Sequence, residues 1–263
     1  MAKVAIVTGS ATGLGAACAV DLAGRGWNVA INYTKSKKEA DETYEKVKAK
    51  GVEAILVQAD MGQDADCKKL AGETTKKWSR IDGLINNAGT TKFQNQGDLD
   101  GVTAEDFDRI LRVNVTGPYM MSRAVYPTMK KQWDEKKERG SIVNISSIAG
   151  VMGVGTSIPY AASKGALNTL TLSLARWFGP AVRVNTVCPG FIQTRWLLGA
   201  LGKDDYERLK VNQEQTTPLR QAGTAEQMAE AAIFFLTSAS NITGEFLIVD
   251  AGTHLGGLPM KGR

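Results

Sequence analysis

The chain is poor in the residues that mark several common functions. It has a single histidine, His254, near the C-terminus. No serine or aspartate constellation surrounds that histidine, so it reads as a surface or subunit-contact residue. The three cysteines, Cys18, Cys67 and Cys188, lack metal-ligand spacing. No metal site is expected from them, and an odd count without a pairing pattern suits a reducing compartment. The opening run MAKVAIVTGS is too short for a signal peptide or a membrane span. The expected compartment is the cytoplasm, with no membrane partner. The net charge of +5 is modest, and the lysines are scattered rather than blocked. That pattern describes a solvated surface, not a nucleic-acid patch, and leaves a mild attraction for phosphorylated or acidic ligands. No linker, repeat or low-complexity segment interrupts the chain, so one domain over residues 1–263 is expected. Asn241-Ile242-Thr243 matches a glycosylation sequon but reads as a plain turn without a secretion signal.

What the chain does contain is alternation. Short β-branched or apolar runs at Lys3–Thr8, Trp27–Asn32, Ala54–Ala59, Asp82–Ile85, Ser141–Ile145, Arg183–Val187 and Phe246–Val249 read as buried strands. Helical periodicity lies between them. Cys67, Leu70, Ala71, Thr74 and Trp78 share one face, as do Phe107, Ile110, Leu111, Asn114 and Val115. Thr103-Ala104-Glu105-Asp106 and Thr224-Ala225-Glu226-Gln227 read as helix starts. Strands alternating with helices predict an α/β fold: a doubly wound, Rossmann-type parallel sheet of about seven strands with helices on both faces. Ligands bind beyond the C-terminal strand ends of such sheets. Many of the 28 glycines fall at these ends.

The segment Ser147–Lys164, SIAGVMGVGTSIPYAASK, holds the candidate chemistry. Tyr160 and Lys164 stand four apart at the start of an alanine-rich helix, on one face. A nearby ammonium stabilises a phenolate and lowers the tyrosine pKa from about 10, which makes Tyr160 a candidate general acid or base. The spacing alone selects nothing. Tyr33/Lys37, Tyr44/Lys48, Tyr126/Lys130 and Tyr206/Lys210 repeat it. Context separates them: Tyr33 closes a strand, Tyr44 and Tyr206 lie in charged segments, and Pro127 disfavours helical geometry at Tyr126.

At the other end of the chain, Thr8-Gly9-Ser10-Ala11-Thr12-Gly13-Leu14-Gly15 joins a strand to a helix. Small residues let a phosphate approach the backbone, and the helix N-terminus attracts its charge. The glycine spacing differs from the general dinucleotide fingerprint: counted from Gly13, its third glycine position holds Cys18.

Taken together, this loop, Asn86-Asn87-Ala88-Gly89, Ser147 with Tyr160-x-x-x-Lys164, Pro189-Gly190 and Asp250-Ala251-Gly252 resemble the short-chain dehydrogenase/reductase family. The resemblance runs from Lys3 to about Gly252. It implies an NAD(P)-dependent hydride transfer between nicotinamide and a carbonyl or alcohol. Tyr160 would be the general acid/base. Lys164 would bind the nicotinamide ribose and lower the tyrosine pKa. Ser147 would hold the substrate oxygen, leaving Ser146 to backbone hydrogen bonds. Asn114 would support a proton relay through water to Lys164. Cofactor contacts would come from Thr8, Gly9, Ser10, Thr12, Gly13 and Leu14, and from Asn32, Tyr33, Lys35 and Ser36. Asp60 and Met61 would meet the adenine, with Asn87, Ala88 and Gly89 beside them. Pro189, Gly190, Ile192 and Thr194 would complete the site.

The second strand ends in Asn32, where an NAD-specific site usually carries a carboxylate for the ribose 2′-OH. Lys35, Ser36 and the neighbouring Lys37 suit a 2′-phosphate, so NADP(H) is favoured over NAD(H). Thr12 departs from that pattern, because many NADP-preferring relatives carry a basic residue there. Substrate choice is expected in a lid over residues 191–217, where Gly199 and Gly202 bracket the apolar Trp196, Leu197, Leu198 and Leu201. Val151, Met152, Val154 and Ile158 would add apolar surface beside it. Within the family the pattern is similar to 3-oxoacyl-[acyl-carrier-protein] reductases. Arg176 and the run Lys130, Lys131, Lys136, Lys137 and Arg139 could meet an acidic carrier protein, although QWDEKKER inserts before the fifth strand. Sugar, steroid or small-alcohol dehydrogenases share the framework. A nucleotide-binding sensor without catalysis is the alternative from another class. The family implies a homotetramer or homodimer, with the helices of Asn114 and Tyr160 between subunits.

Overall fold

The strand β1 (Val4–Val7) is fully buried and lies inside the sheet, third of its seven strands. Its side chains alternate between two cores: Ala5 and Val7 face one, Ile6 the other. That is why its sequence reads as continuous rather than alternating hydrophobicity. The structure, a computed structural model, describes residues 2–256. Met1 and residues 257–263, which the expected domain includes, lie outside the described residues.

After β1 come α1 (Gly13–Gly24), β2 (Asn28–Tyr33), α2 (Lys37–Lys48), β3 (Ala54–Gln58), α3 (Asp64–Trp78) and β4 (Gly83–Asn86). The chain continues through α4 (Ala104–Leu111), a π-helical turn (Arg112–Thr116), α5 (Gly117–Lys136), β5 (Gly140–Ile145), α6 (Ala149–Met152) and α7 (Ile158–Phe178). It ends with β6 (Val182–Pro189), α8 (Arg195–Leu201), α9 (Lys203–Thr216), α10 (Ala225–Thr237), β7 (Phe246–Val249) and a 3₁₀ turn (Thr253–Leu255). The seven strands form one parallel sheet in the order β3-β2-β1-β4-β5-β6-β7. All seven predicted strands are present, each within about two residues of its predicted ends.

Helices α1 and α10 cover one face, packing Leu22, Ile233 and Phe235 on Val29, Ile85 and Val143. Helices α3, α5 and α7 cover the other, packing Leu70, Met121, Met129 and Leu174 on Leu84, Ile142 and Val184. A buried polar chain pins three central strands together. Asn86 Nδ2 donates to Asn144 Oδ1 at 2.9 Å, Asn144 Nδ2 donates to Thr171 Oγ1 at 2.8 Å, and Thr171 Oγ1 lies 2.6 Å from Thr186 Oγ1. Every member of the chain is partnered, as such a network requires. Both predicted helix starts are present, and each is closed by a capping box, at Thr103/Asp106 and Thr224/Gln227.

Two local expectations need correction. Tyr126 is helical, because α5 continues through Pro127. Pro127 is on the solvent side, where the carbonyl it cannot bond remains open to water. Tyr126 itself is held by stacking on Phe178, with ring centres 4.2 Å apart. His254 does have a carboxylate partner. Its Nδ1 lies 3.0 Å from both oxygens of buried Asp250, which also accept from the backbone N–H groups of Gly252 and His254. The pair closes the last turn.

The strand order reverses between β1 and β4. Their loops diverge there, and a crevice opens above the carboxyl ends of the strands.

Candidate active site

The crevice is a cleft of about 690 Å³. Every predicted site residue lines it except Thr8, Ser10, Asn32 and Asn114. Those four lie beneath its surface, and their hydrogen bonds explain why. Thr8 Oγ1 accepts from the N–H groups of Asn87 and Ala88, both at 3.0 Å. Ser10 Oγ donates to the Val7 carbonyl at 2.7 Å and accepts from Asn32 N at 3.0 Å. Asn32 Oδ1 accepts from Gly9 N at 3.0 Å, and its Nδ2 donates to the Ala59 carbonyl at 2.9 Å. These side chains brace the loop from below.

The glycine loop needs its glycines for two reasons. A Cβ on Gly15 would stand 2.5 Å from both Asn87 Nδ2 and the Gly9 carbonyl oxygen, and one on Gly9 would stand 2.9 Å from Ala88 Cα. The loop therefore packs directly on Asn87-Ala88-Gly89. Gly13 has φ +58 and faces the cleft, where only the Thr194 side chain comes within 4 Å of a modest added Cβ. Thr12, at the N-cap of α1, makes no side-chain cap bond. The first N–H groups of α1 thus point into an open, glycine-walled space, a setting that suits a phosphate. On the far side, Tyr33, Lys35, Ser36, Asp60 and Met61 line the same cleft. Asp60 also accepts from Gly62 N at 2.8 Å, so it shapes its own turn. The residues fit a dinucleotide, with a phosphate cradle in the middle and an adenosine wall at one end.

The other end holds Ser147, Tyr160 and Lys164. Strand β5 delivers Ser146 and Ser147 at its tip. Ser146 Oγ donates to the Lys164 carbonyl at 3.1 Å, the backbone role expected of it. Ser147 Oγ accepts from Ala149 N at 3.1 Å. Pro159 in the first turn of α7 starts the helix that carries Tyr160 and Lys164 on one face. Lys164 Nζ donates to the Ile145 carbonyl at 2.7 Å and lies 5.5 Å from the centre of the Tyr160 ring.

Burial dominates the electrostatics here. It pushes the Tyr160 phenol up to about 12, with the Ser147 hydroxyl acting in the other direction. It lowers Lys164 to about 8, against an opposing pull from Cys188. The thiol of Cys188 is pushed up to about 11, again by burial first. Against the sequence expectation of a lowered Tyr160 pKa, burial raises it here, and the opposing contribution comes from the Ser147 hydroxyl.

Asn114 sits in the π-helical turn between α4 and α5. Its Oδ1 accepts from Thr90 N at 2.8 Å, and its Nδ2 donates to the Thr90 carbonyl at 2.9 Å and to Ser163 Oγ at 3.0 Å. The side chain ties the loop after β4 to α7, and it is fully engaged in doing so. π-turns commonly mark functional sites.

Helices α8 and α9 form the segment expected to be a lid. Gly202 ends one and begins the next with φ +76. Trp196 and Leu197 line the cleft, and Trp196 meets Phe93 edge-on with centres 5.3 Å apart. Val151, Met152, Val154 and Ile158 were expected to add pocket wall. They are instead exposed and do not line the cleft. Thr34, Thr90, Val113 and Arg195 line it without having been singled out from sequence. Thr34 lies between two named positions. Nothing in the local pattern distinguished Val113, which only the π-turn turns inward.

Comparison with known proteins agrees with this geometry. The family described as Enoyl-(Acyl carrier protein) reductase matches residues 9–254. A Streptomyces violaceoruber protein, named as a ketoacyl reductase of the granaticin polyketide synthase, is 39% identical over 254 residues, covering 97% of both chains. The 3-oxoacyl-[acyl-carrier-protein] reductase FabG of Staphylococcus epidermidis is 33% identical, covering 97% of this chain and 100% of its own. The crystal structure of levodione reductase superposes with a TM-score of 0.88 at 27% identity, over 97% of this chain and 98% of that one. The chain belongs to the short-chain dehydrogenase/reductase family of oxidoreductases.

Proposed function

We propose that the protein is an NADP(H)-dependent carbonyl reductase acting on a 3-oxoacyl thioester. The observation that carries this reading is that Ser147, Tyr160 and Lys164 share one cleft with a glycine-walled phosphate cradle. When bound there, a nicotinamide cofactor supplies the hydride. The chain's own residues then handle charge and proton. The Ser147 hydroxyl donates a hydrogen bond to the substrate oxygen as negative charge develops on it. Tyr160 gives that oxygen its proton; a phenol held near 12 is fully protonated at neutral pH and ready to donate. Lys164 keeps a positive charge beside the phenol at neutral pH and stabilises the phenolate left behind. Asn114 holds the Thr90 loop against α7, which maintains the relay side of the site.

The preference for NADP(H) rests on Lys35 and Ser36, which line the cleft where the adenosine end would lie. No carboxylate ends β2 to compete with a 2′-phosphate. The acyl preference rests on the names of the relatives and on the apolar Trp196 and Leu197 over the cleft. One nucleotide-binding domain with a substrate lid at about 191–217 is the proposed organisation. The proposed assembly is a homotetramer or homodimer through α5 and α7, where Tyr119, Leu172 and Trp177 are exposed. Light scattering would test it, and a monomer would refute it. The cytoplasm is the proposed compartment, on three free cysteines.

The test is loss of reduced-nicotinamide absorbance with a panel of acetoacetyl thioesters, cyclic diketones, sugars and small ketones, each with NADPH and with NADH. The reading requires a thioester to lead the panel and NADPH to be preferred. A lead by a diketone or sugar would reassign the substrate. Turnover of no compound would favour a nucleotide sensor, and a tenfold preference for NADH would overturn the cofactor assignment.

A further inference from the structure

Helix α8 bridges the mouth of the cleft through two adjacent side chains that reach opposite walls. Trp196 meets Phe93 on the substrate side. Arg195 reaches across to α2, where its Nη2 lies 3.2 Å from Glu39 Oε1. The residue before Arg195, Thr194, stands over the phosphate cradle: its Cγ2 lies 3.5 Å from where a Cβ on Gly13 would be. Arg195 is therefore rooted above the N-terminus of α1 and tipped toward the segment that holds Lys35 and Ser36. Arg195 lines the same cleft as Gly13 of the cradle and as Lys35 and Ser36, the two places where the proposed cofactor carries phosphate.

The ion pair is poorly committed. The Arg195 side chain is 72% exposed. A guanidinium has five N–H donors, and Arg195 makes one hydrogen bond among the described residues. Exposed pairs of this kind contribute little to stability, so exchanging the partner costs little. Glu39 does not depend on Arg195. It is the third residue of α2, and a hydrogen bond from its own backbone N–H is the first cause that holds its pKa low, with Arg195 and Lys38 adding to the effect. Glu39 stays ionised and in place when Arg195 leaves.

We infer that Arg195 is a cofactor-phosphate ligand, held by Glu39 until the dinucleotide enters and then exchanged onto its phosphate. A planar, permanently charged fork suits a phosphate better than a single-bonded carboxylate. Because Arg195 starts α8, the exchange also draws the lid helix toward the bound cofactor. The inference rests on the proposed dinucleotide site.

The exchange predicts effects of opposite sign from the two halves of one ion pair. Binding is measured by titrating NADPH and NADH into the full-length protein and following nicotinamide fluorescence, which needs no turnover. Arg195→Gln should raise the Kd about tenfold, as loss of a charge-assisted hydrogen bond does, and should flatten its salt dependence. Glu39→Gln should lower the Kd, because the competitor for the guanidinium is gone. Weakening of both nucleotides by Arg195→Gln assigns the diphosphate, and weakening of NADPH alone assigns the 2′-phosphate; each supports the inference. If both variants weaken binding equally, the pair is only a clasp that closes the lid, and the inference fails. Unchanged affinity in Arg195→Gln also overturns it. Wild-type protein that binds neither nucleotide would instead remove the dinucleotide site itself, and the inference with it. Unchanged thermal melting of both variants shows that each is folded.

Discussion

Lys164 donates from Nζ to the Ile145 carbonyl oxygen at 2.7 Å while its charge lies 5.5 Å from the centre of the Tyr160 ring. The end of β5 thus holds the ammonium between the strand and the phenol. This anchor explains how a buried lysine is tolerated: its charge is hydrogen-bonded, although desolvation still lowers its pKa.

Lys164 gives a pH signature in stability. Its pKa falls from 10.5 to about 8 on folding. Below the folded value both states hold the proton, and the cost of burying the charge is fully present. Between about 8 and 10.5 the unfolded chain binds more protons, so the stability contributed by this group rises with pH. Cys188 and Tyr160 have raised values and act in the opposite sense at higher pH. A Lys164→Met variant retains both, so subtraction isolates the lysine. The melting temperature of wild type minus variant should be flat near neutral pH and rise above pH 8 toward 10.5. The slope has a ceiling of about 1.4 kcal/mol per pH unit. A flat or falling difference in that window would contradict the assignment.

Asn32→Asp should destabilise the fold rather than only change the cofactor. The position is where an NAD-specific relative would carry a carboxylate, but here the side chain is 1% exposed. Its amide donates to the carbonyl oxygens of Ala59 at 2.9 Å and Val57 at 3.3 Å. A carboxylate has no donor for them and places negative charge against them, at a cost of several kcal/mol. Thermal unfolding should show a large fall. Lys35→Glu, in the open cleft, should leave melting unchanged and weaken NADPH about tenfold or more relative to NADH. The reverse assignment of these two effects would refute the reading of the β2 end.

Glycines of helix α1 should separate by contact. Gly15→Ala drives a Cβ into Asn87 Nδ2 and the Gly9 carbonyl oxygen, both 2.5 Å away. It should cost about 2 kcal/mol or more, as overpacking does, and impair nucleotide binding. Gly24→Ala meets nothing within 4 Å. It should be neutral or stabilise by about 0.5 kcal/mol through helix propensity. Urea denaturation of the two variants checks the contrast.

Much of this was readable from sequence because the signals were local. Each strand was a short apolar run, and both Thr-initiated capping boxes lay within four consecutive residues. The positions of Ser147, Tyr160 and Lys164 followed from a strand end and one helical turn. Three features required the folded chain. The outcome at Pro127 depended on which side of α5 faced solvent and on Phe178, 52 residues after Tyr126 in the chain. The bracing role of Asn32 depended on carbonyls from β3. The Tyr160 pKa depended on burial, which the Tyr-x-x-x-Lys spacing does not report. Arg195 escaped notice because its partner, Glu39, is 156 positions away.

The central claim is that Tyr160 protonates a substrate oxygen during hydride transfer in this cleft. Its most direct test is reaction of wild type and Tyr160→Phe with NADPH deuterated at nicotinamide C4 and the best ketone or thioester of the panel. The account predicts an alcohol one mass unit heavier from wild type, and a variant that binds NADPH normally, melts normally and loses about 10² to 10⁴ in turnover. A Tyr160→Phe variant that still forms the deuterated alcohol at near wild-type rate would contradict it.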